Sequence, residues 1–311
     1  MKQHYLETVR LLLDVAPFVF KDSPFAMKGG TAINLFHQNM PRLSVDIDLV
    51  LMEHCETREA ALATIAAALD KIAGELQAKL KVAVRRGKPG GSDSETKLFI
   101  TREGVLVKVE VNHVFRGSVY PIVNQRLAGA AADKFDRYVV VPTLDYDELY
   151  ASKLVAALDR QHPRDLFDVM LLYREGGITP RIRRAFTVYL AGHNRQINEM
   201  LPPLAHDISA SFASEFEGMT TEVVTLAQLL ETRERLFAEL PASLDAEERS
   251  FLLSVKKGEP DWEVLGLPGI EKMPSLRWKV INIGKLASSD PAKHKGLVDV
   301  LAKKLNIEQG P

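Results

Sequence analysis

The chain holds one cysteine in 311 residues, so no internal disulfide can staple it. Cys55 lies near no second cysteine and no close histidine pair, and is expected to be a plain free thiol. Charge of one sign is also missing: 40 basic and 41 acidic residues leave a net charge of −1. No global field therefore steers the protein to nucleic acid or membrane, and any such affinity must come from local patches. The apolar run over 11–20 is interrupted by Asp14 and Pro17. It is too short to cross a bilayer and lacks a small-residue cleavage site, so no membrane association and cytoplasmic residence are the expectation. Repeats and low-complexity tracts are absent as well. What remains, 46% hydrophobic and 7% aromatic, suffices for one large or two moderate domains with proper cores.

The densest chemistry is near the start. Lys28-Gly29-Gly30-Thr31 is followed, fifteen residues after Thr31, by Asp46-Ile47-Asp48. Apolar residues alternate with the two aspartates, so a strand here sends both carboxylates to one face. Magnesium takes oxygen ligands and keeps several waters, so two or three carboxylates plus substrate phosphates can hold it. Two glycines before a helix let backbone N–H groups approach a phosphate, with Thr31 able to add its hydroxyl. The same residues also suit a tight turn with a threonine cap. Arg42 and Ser44, just ahead of the aspartates, are further candidate phosphate contacts, although Ser44 equally suits a local turn.

A second strand supplies a third carboxylate. Val107, Val109 and Val111 alternate with Lys108, Glu110 and Asn112, and Glu103-Gly104 joins this stretch to a strand over 97–101 as a hairpin. Upstream, 85–92 reads as a basic glycine-rich loop containing Arg85, Arg86 and Lys88, and 57–80 as a long packing helix. Beyond about residue 140 the strand signal fades, and 146–160, 163–174, 181–189, 223–240 and 246–255 read as helices. The stretch 258–285, with both tryptophans and three prolines, reads as an extended element wrapping the body. Within the helices Lys153, Arg164, Asp165 and Asp168 place charges among apolar residues, with Asp165 and Asp168 sharing a face. Lys153 is the candidate triphosphate ligand.

Four ordered blocks, Lys28 to Ala32, Arg42 to Leu49, Val107 to Glu110, and Lys153 with Arg164 to Asp168, resemble the AbiEii/AbiGii-type nucleotidyltransferase toxin family of the DNA polymerase β-like superfamily. The resemblance covers about residues 27–172. It implies an α+β fold, a small mixed sheet flanked by helices, with a mainly helical C-terminal lobe. The expected division is a nucleotidyltransferase core over 1–141, a helical lobe over 142–257, and a wrapping segment with basic tail over 258–311.

By the same resemblance Asp46 and Asp48 are metal ligands for two Mg²⁺ ions, joined by Glu110 as ligand or base. Gly30 and Thr31 contact phosphate, Lys153 contacts the nucleoside triphosphate, and one of Asp165 or Asp168 is an essential acid, which spacing leaves open; Lys28, Gly29 and Arg164 are further nucleotide-binding candidates. One departure is Glu110, where an aspartate is often found. The implied acceptor is the 3′ end of tRNA, with blocked aminoacylation as the outcome and an antitoxin encoded nearby as partner. Candidate RNA contacts are Arg85, Arg86 and Lys88, with Arg181, Arg183 and Arg184 at a helix start; 276–305 adds seven Lys and Arg against two Asp. Transfer to a protein or small molecule, and a nucleotide-binding module without turnover, are the competing readings.

Overall fold

The computed structural model describes residues 3–53, 57–88, 96–112 and 114–308. Cys55 and the 89–92 part of the glycine-rich loop lie outside them. The chain folds as two compact units, Met1–Leu149 with Phe216–Val223, and Tyr150–Glu215 with Val224–Pro311. The first unit thus runs eight residues past 141 and includes a segment from far downstream, while 258–311 falls within the second unit.

The first unit opens with helix α1 (Gln3–Phe20), strand β1 (Phe25–Lys28), the short helical turn α2 (Gly29–Thr31) and a wide π-helical stretch, Ala32–His37. Strand β2 (Asp46–Leu51), helix α3 (Arg58–Leu80) and strands β3 (Ala83–Gly87), β4 (Lys97–Arg102) and β5 (Val105–Asn112) follow. Strand β6 (Val123–Arg126), helix α4 (Gly129–Phe135) and strand β7 (Val140–Thr143) complete it. The described strands form one mixed sheet in the order β3-β4-β5-β2-β1-β7-β6. Pairing is parallel for β2 with β5 and for β1 with β7, and antiparallel elsewhere.

The sheet has an apolar face because alternate residues share a side. Ile47, Leu49, Leu98, Ile100, Val107, Val109 and Val111 are all buried. Helices α1 and α3 pack on the sheet and on each other, α3 through Ile65, Leu69, Ile72 and Leu76. Thr57 caps α3 by accepting from the Ala60 N–H. The β4–β5 turn holds Glu103 at φ 51° and Gly104 at φ 81°, the positive pair that a two-residue hairpin with right-handed twist demands. The distant segment Phe216–Val223 adds a tie of its own. Leu43 N–H donates to the Met219 carbonyl at 2.9 Å, Thr221 N–H donates to that of Pro41 at 2.9 Å, and Arg42 bridges to Thr220.

Helix α5 (Tyr146–Arg160) carries the chain into the second unit, which among the described residues contains no named strand. It comprises α6 (Pro163–Arg174), α7 (Pro180–Ala191), the short α8 (Ile197–Met200) and α9 (Ser209–Glu215), α10 (Leu226–Ser243), α11 (Ala246–Lys257), α12 (Pro274–Ser289) and α13 (Pro291–Lys304). Capping residues set the starts: Thr179 caps α7, and Thr225 and Asp245 each close a reciprocal capping box. Gly258, at φ 88°, ends α11 in the left-handed conformation. The expected extended wrap over 258–285 is corrected. Only its first part is loop, anchored by Trp262 with its ring centroid 6.3 Å from that of Phe251, and Pro274 at the first helical turn starts α12.

Candidate active site

The register of β2 against β5 decides the arrangement of charges. Asp46 lies opposite Lys108 and Asp48 opposite Glu110, so all four side chains project from the face opposite the apolar one. Lys108 Nζ stands 3.9 Å from Asp46 and 3.2 Å from Glu110, and Lys97 Nζ is 3.0 Å from the other Glu110 oxygen. Burial and the Asp46 charge push Asp48 above the usual carboxylate range; Lys28 and Lys108 pull it down and Glu110 adds to the rise. Burial would lower Lys108, but Asp46 and Glu110 outweigh it and hold the ammonium charged.

Two crowded carboxylates on one face suit a divalent cation, whose charge would relieve the repulsion that raises Asp48. Asp46 and Asp48 therefore fit a magnesium ion that completes its shell with water and substrate phosphate. Glu110, the expected third ligand, has one oxygen 3.0 Å from Lys97 Nζ and the other 3.2 Å from Lys108 Nζ, so both its oxygens are paired with lysines. Among the described residues no group of three or more His, Cys, Asp or Glu is gathered closely enough to hold a metal ion.

The glycine turn leads directly out of β1, where Lys28 pairs with Asp48. Gly29 has φ +75°, and a Cβ there would lie 2.4 Å from Asp48 Oδ2. At Gly30 a Cβ would lie 2.7 Å from an Arg42 guanidinium nitrogen and 3.2 Å from Ser44 Oγ. Only glycine lets the backbone run this close to both groups.

Thr31 and its neighbours depart from the expected phosphate roles. Thr31 is fully buried, and its hydroxyl is shared between Ser44 Oγ, at 2.9 Å, and the Asp46 carbonyl. It fastens the turn to the start of β2 instead of reaching outward. Arg42 is 2% exposed, with Nη1 donating to the Leu43 carbonyl, and Ser44 is also buried. Both lie behind the turn and shape it. Lys28 is half-buried, 6.0 Å from the centre of the Phe115 ring.

In the second unit Lys153 Nζ lies 2.7 Å from Asp165 Oδ1 and 3.0 Å from Asp168 Oδ2, all three side chains buried. Arg160, which the sequence did not single out, adds two bonds to Asp165 at 2.5 and 3.0 Å. Burial alone would raise Asp165, yet Lys153 and Arg160 overcome it and hold its carboxyl far below the ordinary range. Asp165 and Asp168 thus both clamp Lys153. Arg164, in contrast, points toward Glu215 at 4.0 Å.

Several expected RNA contacts are tied up internally. Arg183 is bonded to Glu248 at 2.6 Å and Asp245 at 3.2 Å, and Arg184 to Glu247 and the Leu265 carbonyl. Arg181 and Lys88 are exposed. Arg85 and Arg86 lie on strand β3, not in a loop, and so face opposite ways. Arg86 pairs with Asp70 of α3 at 3.1 Å, whereas the Arg85 guanidinium stacks 4.4 Å above the Phe99 ring on the carboxylate side. No sequence signal marked Lys97 or Phe99, whose importance depends on strand register.

Comparison with known proteins agrees with this geometry. Residues 10–281 match the family described as nucleotidyl transferase AbiEii toxin, type IV TA system. A search of curated proteins finds no match. Among solved structures the chain is similar to MenT4, a nucleotidyltransferase toxin from Mycobacterium tuberculosis H37Rv. The TM-score is 0.60 at 16% identity, over 90% of this chain and 94% of that one. At that identity the likeness speaks for the fold, and the family match carries the rest. The chain belongs to the AbiEii family of nucleotidyltransferase toxins of toxin–antitoxin systems.

Proposed function

We propose that this toxin moves a nucleoside monophosphate from a nucleoside triphosphate onto the 3′ end of tRNA in the cytoplasm, blocking aminoacylation and hence translation. The observation that carries the reading is the register that sets Asp46 and Asp48 on one face, with Gly29 against the Asp48 carboxylate. Asp46 and Asp48 would hold Mg²⁺, which supplies charge neutralisation of the phosphates and a more acidic acceptor hydroxyl.

The chain's own residues do the rest. The Gly29–Gly30 backbone, held close by Arg42 and Ser44, gives the triphosphate a surface without side chains, and Lys28 adds a positive charge beside Asp48. Glu110 holds Lys108 next to Asp46, so that an ammonium flanks the reacting phosphate. The acceptor hydroxyl bonds to the α-phosphorus, its proton passes to base or solvent, and pyrophosphate leaves. Lys153, clamped by Asp165 and Asp168, is the proposed further nucleotide contact. The family's type IV designation supports an antitoxin as partner, and among the described residues no helix is long and apolar enough to cross a membrane.

Incubating the protein with each α-labelled triphosphate, Mg²⁺, total tRNA and a protein fraction tests this directly. Label in tRNA that aminoacylation cannot follow is expected. Label confined to protein overturns the tRNA reading.

A further inference from the structure

A cavity of about 520 Å³ opens beside Asp46, walled by Tyr5, Val45, Phe99, Leu106 and Lys108. We propose that it receives the terminal nucleoside of the RNA acceptor, stacked against Phe99, an inference that rests on the transferase reading above and names where its second substrate sits.

Three observations carry it. The first is position. Across the sheet the order is β3-β4-β5-β2-β1, and the glycine turn leaves β1 while the cavity lies toward β5 and β4. Displacement at phosphorus sets the attacking hydroxyl roughly in line with, and opposite to, the departing pyrophosphate. With the triphosphate on the glycine turn beside Asp48, the attacking hydroxyl enters past Asp46 and Lys108, from the cavity.

The second is the construction of the wall. Arg85 on β3, Phe99 on β4, Lys108 on β5 and Asp46 on β2 are directly opposite one another in successive strands, a continuous row on the carboxylate face. Phe99 lies against Gly87, where a Cβ would come 2.4 Å from its ring. From above, the Arg85 guanidinium covers the ring at 4.4 Å. With Gly87 against the ring edge and the Arg85 guanidinium over one face, the remaining face of Phe99, beside a lysine, is the proposed stacking surface, with phosphate-pairing charge around it.

The third is size and polarity. The volume falls within the range of small-molecule sites and admits one nucleoside, not a duplex end. Leu106 is 50% exposed, an apolar surface on a strand that otherwise shows Lys108 and Glu110 on this face. Glu7 and Glu103 also line the cavity and can accept from ribose hydroxyls and base amino groups. A bare polyanion would find those carboxylates repulsive, whereas an unpaired nucleoside at a strand terminus satisfies them.

The test uses the full chain with Phe99→Leu, which still covers Gly87 but has no π-face, and Phe99→Tyr, which retains one. The acceptor KM and the triphosphate KM are measured separately, and tRNA affinity is read without turnover by fluorescence anisotropy. Phe99→Leu should raise the acceptor KM and weaken tRNA binding about tenfold, with the triphosphate KM unchanged and Phe99→Tyr within about twofold of wild type. Tyr5→Leu, on α1 across the cavity, should act in the same direction. An unchanged acceptor KM in Phe99→Leu overturns the cavity assignment while leaving the transferase reading intact. A raised triphosphate KM assigns the cavity to the nucleotide and overturns it as well. Wild-type label appearing only in protein overturns both.

Discussion

Gly29 and Asp48 stand so close that a methyl group at position 29 would lie 2.4 Å from the Asp48 carboxylate oxygen. The contact joins a glycine chosen for its backbone to an acid chosen for its charge. Gly29→Ala must displace one of them, and its φ of +75° adds backbone strain. A displacement near 1 Å at a reacting centre costs about 100-fold in rate. Transfer by Gly29→Ala is expected to fall by about that factor, with Gly30→Ala also impaired through Arg42 and Ser44; initial rates of nucleotide transfer check both.

Asp46→Asn and Asp48→Asn each remove half of the proposed cation grip, and each is expected to cost about 1000-fold or more in transfer and to abolish toxicity. Stability should move the other way for Asp48→Asn. A carboxyl whose folded pKa is raised loses stability as pH climbs past its unfolded value of 3.8, and the penalty is complete above the folded pKa. The amide removes that penalty, so the melting temperature at pH 7 should equal or exceed that of wild type. A lowered melting temperature in Asp48→Asn would contradict the electrostatic account.

Lys153→Met leaves two buried carboxylates without their shared cation, and a loss of about 3–5 kcal/mol is expected by denaturant unfolding. The double change Lys153→Met with Asp165→Asn should recover part of it. The Asp165 pKa is depressed in the fold, so its contribution is complete above the unfolded value of 3.8 and drains away as pH falls below it. Melting temperature measured downward from pH 5 should drop more steeply in wild type than in Asp165→Asn.

Arg183→Gln strips the partner from fully buried Glu248, whose other support is the Asp245 N–H at 2.9 Å. The expected cost is about 3 kcal/mol in stability, with no change in the salt dependence of tRNA binding. Arg85→Ala should do the reverse, leaving the melting temperature near wild type and reducing the slope of log affinity against log salt by about one.

Local patterns were legible where one short stretch sufficed. Alternation around Asp46-Ile47-Asp48 and 107–111 announced strands with charged and apolar faces, and Glu103-Gly104 marked the turn, because period and φ requirements are local properties. Helices 146–160 and 163–174 coincide with α5 and α6, since helical periodicity and Pro163 are written in adjacent residues. Strands β3, β6 and β7 were not legible. Each is four or five residues long and partly exposed, too short for alternation to stand out. Thr31 read as a phosphate donor because its spacing is the same whether its hydroxyl points outward or, as it does, toward the Asp46 carbonyl.

Residue order alone settled the chemistry available to this chain: two aspartates sharing a strand face, a glycine pair beside them and a long helical remainder, all consequences of period and backbone freedom. Folding settled which groups meet. Lys97 and Lys108 reached Glu110, Arg85 reached Phe99, and Arg183 turned inward to Glu248. Strand register and helix packing bring together residues far apart in the chain, and the free energies that select them belong to no single segment.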